Sequence, residues 1–156
     1  MGWPQLLLVT GLVLALLWAA WGDLRTRIIP NPLNAGIALA APLWWWASGL
    51  PLWPNMALQL AVGAIVFVLF AVFFMLGAMG GGDVKLVAAL ALWLPFELVL
   101  AMLFIMALAG GVVTIATMIV HRVRVQPGRP EIPYGIAISA AGLWVIANDI
   151  LTTPLQ

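Results

Sequence analysis

Two acidic side chains carry the chemistry this sequence could perform. Asp83 follows the run Gly80-Gly81-Gly82 in the middle of a 156-residue chain that is 65% hydrophobic and 7% charged. An ionisable group at membrane depth costs roughly 2.5–3.5 kcal/mol on insertion scales, so its presence there asks for a use. Asp23 stands near the end of the first apolar stretch, just before Arg25 and Arg27. Two carboxylates held about 3 Å apart cannot both ionise easily and share a proton. The charged partner can take a proton from water while the neutral one donates to a carbonyl oxygen, and together they hydrolyse a peptide bond without a covalent intermediate. Each acid also has a plainer reading. Asp83 suits a helix N-cap, its charge favoured by the dipole. Asp23 could be a solvated acid paired with Arg25 or Arg27, although an acid at a helix C-terminus opposes the dipole.

The elements that must position these groups are apolar helices. Mean hydropathy is +1.17, and apolar runs of about 20 residues recur along the chain, the pattern of a multi-span membrane protein. A soluble domain would carry about 25% charged residues. Cysteine is absent, which excludes disulfides, zinc ribbons and thiol nucleophiles, and a single histidine excludes a His-cluster metal site. No cofactor or metal is expected.

Six spans are expected in an all-α polytopic protein, forming one transmembrane domain over residues 1–156. They run from Trp3 to Trp21, Pro32 to Trp46, Asn55 to Ala78, Asp83 or Val84 to Leu94, Phe96 to Val120, and Pro133 to Leu151. The first lacks a preceding basic residue and a small-residue cleavage site, so it does not read as a signal peptide. Asn31 is expected to cap the second, with Pro32 at its first position. The glycine run is expected to break the third span. Arg25, Arg27, Lys85, Arg122, Arg124 and Arg129 all fall on one side, which the positive-inside rule makes cytoplasmic, with both termini outside. Trp3, Trp44 to Trp46, Trp53 and Trp93 would then mark the outer interface, and Trp18 and Trp21 the inner one. Counting crossings puts Asp23 and Asp83 at similar depth on the same face. The fourth span is short: about 11 residues cover roughly 16 Å of a core about 30 Å thick. Either it continues through Pro95 or Asp83 is recessed in a protein-lined cavity, and the irregular glycine backbone favours the cavity. The glycines would let a substrate backbone approach closely and permit the bend into the fourth span.

Three motifs resemble those of a known family. Asp23-Leu24-Arg25-Thr26-Arg27-Ile28-Ile29-Pro30-Asn31 resembles the first-aspartate motif of the type IV prepilin peptidases. Gly80-Gly81-Gly82-Asp83-Val84-Lys85-Leu86 resembles their GxGD motif, and Pro133-Tyr134-Gly135-Ile136-Ala137-Ile138 their late Pro-Tyr-Gly segment. GxGD also occurs in presenilin-like and signal-peptide-peptidase-like proteases; the three motifs in order are more specific. The resemblance implies an intramembrane aspartic endopeptidase of the bacterial inner membrane that removes a prepilin's basic leader at the cytoplasmic face. By this resemblance Asp23 and Asp83 match the two catalytic aspartates. The larger family members also N-methylate the new N-terminus through a domain with paired cysteines. Lacking these, the chain looks like the short subgroup serving Flp/Tad pili or like the archaeal preflagellin peptidases.

Around the aspartates, Gly80, Gly81, Gly82, Lys85, Arg27, Asn31, Tyr134 and Gly135 are candidates for shaping the site or binding substrate. Lys85 could instead snorkel to the interface, or tune the carboxylate pair. Arg27 and Asn31 would organise the first loop. His121, Arg122, Arg124 and Arg129 read as an anchor for anionic lipid, Glu97 and Asp149 as interfacial or internally paired acids, and Met75 and Met79 as packing. Expected partners are the prepilin, through its leader and the first part of its hydrophobic helix, and membrane lipid. Nucleic acid is not expected, and the sequence is compatible with a homo-oligomer. A rival reading is a small transporter or proton relay using the same two acids, which would need further polar groups along a path; Gln59 and Thr114 are isolated. A second rival is a non-catalytic assembly subunit associating through Gly and Ala faces.

Overall fold

A chain this apolar must satisfy its backbone from within, so helices form wherever proline and glycine do not intervene. The computed structural model describes residues 2–124 and 132–150, with Asp149 and Ile150 described by their backbone alone. It is all-helical: α1 (Trp3–Thr26), α2 (Asn31–Ala47), α3 (Ala57–Met75), α4 (Gly81–Ala91), α5 (Phe96–Val123) and α6 (Tyr134–Val145). Single π-type turns precede α3 (Leu52–Met56) and follow α6 (Ile146–Ile150). Each expected segment contains a helix, although α3 stops at Met75 short of Ala78 and α4 at Ala91 short of Leu94, and Leu151 falls outside the described residues. Three stretches, Trp3–Thr26, Leu52–Met75 and Phe96–Val123, are long and apolar enough to cross a membrane. α2 with 17 residues, α4 with 11 and α6 with 12 are shorter than the roughly 20 of a straight crossing.

α4 is the centre of the bundle. It packs against α2, α3 and α6, while α1 packs on α2 and α6, and α5 on α6. Eight of its eleven residues are buried, Asp83 among them. It stops at Ala91 rather than running through Pro95, which caps α5. A helix ending inside the bundle exposes carbonyls that need donors. Trp45 Nε1 donates to Leu92 O at 2.7 Å, and Gln59 Nε2 donates to Ala91 O at 3.0 Å and also to Leu94 O. Trp93 Nε1 in turn donates to Ile37 O at 2.9 Å, and its ring stacks on Trp44 with centroids 5.9 Å apart. Trp44, Trp45 and Trp93 are therefore core residues, which corrects their expected place in an outer aromatic belt. Trp3, Trp46 and Trp53 are exposed, as are Trp18 and Trp21.

Other expectations are also corrected. The bend between α3 and α4 is made by Gly77, whose φ of +70° is costly for any residue with a Cβ, and not by the triple glycine. Gly80 caps α4 with an ordinary φ of −72°, and Gly81 and Gly82 are its first helical residues. Pro30 rather than Asn31 occupies the cap of α2. Met75 is exposed instead of packed, whereas Met79 packs against the core. Glu97 is exposed in the first turn of α5, and His121 and Arg122 lie in its last. Arg129 and the side chain of Asp149 fall outside the described residues.

Candidate functional site

The buried stripe of α1, Val9, Leu12, Leu16, Ala19 and Asp23, steps by three and four residues, so Asp23 continues the face that packs into the bundle. One turn later Arg27 closes α1 in a left-handed conformation (φ 57°), its N–H donating to Asp23 O at 3.0 Å. The chain then passes through Ile28 to Pro30 into α2. At the opposite wall Asp83 is the third residue of α4. There its carboxylate faces the backbone N–H of Gly80. The cap itself is Gly80, which corrects the expectation that Asp83 would cap this helix.

Both carboxylates line one cavity of about 400 Å3, together with Arg27, Met79, Gly80 and Tyr134. Asp23 is 4% and Asp83 8% exposed. The start of α6 bridges them. The Gly135 amide faces both carboxylates, and the Ile136 amide faces Asp23 as well. Helix N-termini offer free N–H groups and the positive end of the dipole, so negative charge is welcome at this junction. One oxygen of each acid, Asp23 Oδ2 and Asp83 Oδ1, is buried without a hydrogen-bond partner from the protein. Asn34 Oδ1, Ser48 Oγ and Ser139 Oγ are buried in the same way, so the two acid oxygens are not singular in this.

Glycine is favoured here by contact. A Cβ on Gly80 would lie 2.8 Å from Asp83 Oδ2, and one on Gly135 2.9 Å from Asp23 Oδ2. A Cβ on Gly82 would lie 3.2 Å from Ile29 Cβ, and one on Gly135 2.7 Å from Ile29 Cδ1. Ile29 is thus wedged between the starts of α4 and α6. The glycines admit the protein's own side chains. A Cβ on Gly81 would instead meet the edge of the Phe74 ring at 3.3 Å.

Lys85 points elsewhere. Exposed on the other side of α4, its Nζ donates to Asn31 Oδ1 at 2.8 Å, and both line a separate groove between α2 and α3. It therefore does not join the carboxylate cavity. Beside that pair, buried Asn34 donates from Nδ2 to Gly82 O at 3.0 Å and ties α2 to the glycine turn. Reasoning from sequence misses both Asn34 and Ile29. The signal for Asn34 is a second amide one turn after Asn31 in an apolar helix; for Ile29 there is none. Arg25 lies 4.3 Å from the centroid of the Trp21 ring, away from pairing with Asp23. Gln59 and Thr114, the isolated polar residues of the relay reading, both bond to backbone carbonyls.

Comparison with known proteins agrees with the motifs. Residues 10–115 match the model of the Type IV leader peptidase family. Prepilin leader peptidase/N-methyltransferases from two strains of Burkholderia pseudomallei, 1026b and K96243, are each 33% identical over 144 residues. The match covers 86% of this chain and 45% of theirs, so the chain spans less than half the length of these relatives. No solved structure matches.

Proposed function

Because the chain belongs to the type IV leader peptidase family, we propose that it is an aspartic endopeptidase cleaving the leader from prepilins, of the Flp type, with Asp23 and Asp83 as its catalytic pair. One observation carries this reading: two acids far apart in sequence line a single cavity and share the Gly135 amide. In the mechanism, one carboxylate is charged and accepts a proton from water as it attacks the scissile carbonyl. The other is protonated and donates to the carbonyl oxygen, after which the roles reverse to protonate the leaving amine. Arg27, Gly80, Tyr134 and Gly135 shape the site, Gly80 and Gly135 by leaving room for the carboxylates.

The protein is proposed to lie in the bacterial inner membrane as a single unit of six segments, with the cavity at the cytoplasmic face and both termini outside. The clustering of basic residues supports this orientation, and it puts the acids on the side where a basic leader would remain. Membrane lipid surrounds the exposed apolar faces of α3 and α5.

The test is co-expression with Flp-type prepilins and a mobility assay for leader removal. Wild type is expected to process the prepilin, and Asp23→Asn and Asp83→Asn to accumulate the precursor. Processing that survives both substitutions would end the proposal.

A further inference from the structure

The helices leave a long groove open between α3 and α5, and it leads into the carboxylate cavity. It encloses about 540 Å3 between Phe70 and Phe73 on one wall and Gly110, Gly111 and Thr114 on the other. Ala78, Met79 and Tyr134 line both the groove and the carboxylate cavity. The groove between α2 and α3 and the smaller one between α1 and α2 share no lining residue with that cavity.

We propose that the α3–α5 groove seats the apolar helix of the polypeptide being cleaved and thereby sets which bond reaches Asp23 and Asp83. This rests on the peptidase reading above and assigns the surface through which it acts. The chemistry of the walls selects the occupant. Among the described residues of the lining, the polar side chains are Tyr134 at the inner end and Thr114, whose hydroxyl already donates to Gly110 O at 2.7 Å. A segment entering such a wall at membrane depth must satisfy its own backbone, which a helix does and an extended strand does not. Gly110 and Gly111 lower the wall where a second helix would cross, as small residues do at helix contacts in bilayers. From Met106 to Ile115 the α5 wall is about 14 Å long at 1.5 Å per residue, enough to hold two to three turns. Tyr134 stands where the helix must end and extended chain begin, beside the acids.

Gly111 allows a clean test, because a Cβ there meets nothing within 4 Å. Gly111→Leu should fill the groove while leaving the protein's own packing intact. Ala64→Leu and Gly36→Leu would fill the other two grooves. With wild type and Asp83→Asn in the same membranes, Gly111→Leu is expected to lower kcat/KM for a membrane-embedded prepilin by at least about tenfold. The other two should stay near wild type. In parallel, a photo-crosslinking residue at Ile115 of the Asp83→Asn protein should trap the prepilin through its apolar helix, and one at Leu60 should not. Cleavage by Gly111→Leu at the wild-type rate, or loss only in Ala64→Leu or Gly36→Leu, overturns the groove assignment. So does an Ile115 adduct with lipid alone. Wild type that never cleaves sinks the peptidase reading separately, and the adducts still decide what occupies the groove.

Discussion

At the scale of single residues, the glycines around the acids are the sharpest constraint. Adding one methyl at Gly80 or Gly135 drives an atom to within 3 Å of a carboxylate oxygen. Misplacing a reacting group by about 1 Å can cost on the order of a hundredfold in rate. Gly80→Ala and Gly135→Ala are therefore expected to reduce leader removal by roughly that factor while membrane insertion and helicity, read by circular dichroism, stay intact. Gly11→Ala, with nothing within 4 Å, is the matched control and should cleave normally. A Gly135→Ala protein of full activity would show that the carboxylates need not stand where they do. The two acids are legible in the sequence because charge is rare there and each sits in a motif. Their glycine collars are legible as residues but not as contacts: whether a glycine clears room for a ligand, a bend or a neighbouring side chain depends on what folds against it.

At the scale of elements, the short central helix is held at its far end by side chains from its neighbours. Gln59 supplies donors to two carbonyls at and beyond the last turn of α4, so Gln59→Leu strips Leu94 O of that donor and leaves Ala91 O with only its 3.4 Å bond from Leu94 N. Losing such a partner costs about 1–3 kcal/mol. The variant should show a lower melting temperature in detergent and correspondingly less folded protein, and an unchanged melting temperature would count against this anchoring role. The length of α4 is only roughly readable from Gly80-Gly81-Gly82 and Pro95, because the helix takes in Gly81 and Gly82 and stops at Ala91, short of the proline. The tryptophans are only partly legible, because indole suits a membrane interface and an internal donor equally well. In this fold the carbonyls exposed by a short helix draw Trp45 inward, and Trp93 finds its own acceptor on α2. The bend belongs to a single glycine three residues before the triplet, and nothing local in the sequence distinguishes the two.

At the scale of the molecule, the lopsided charge predicts orientation, and the lack of native cysteine makes it easy to measure. Single cysteines at Arg124 and at Trp53, both exposed, should react with an impermeant maleimide from opposite faces of inner-membrane vesicles, position 124 from the cytoplasmic side. The reverse pattern would overturn the proposed sidedness. Helix order is legible from hydropathy alone. Which helices touch is not, because α1, α3 and α5 are apolar on every side and their periodicity does not single out a face. The stripe on α1 that ends in Asp23 becomes visible only once its neighbours are known.

Ile29 gives the architecture a keystone. One branched side chain, gripped by the first turns of two helices, brings three separate pieces of the chain together at one point. Such a joint resists drift at any one of its members: a change in the wedge must be matched by a change in its sockets. A smaller residue at 29 would relieve only part of what alanine at 135 meets, because Asp23 crowds the same position.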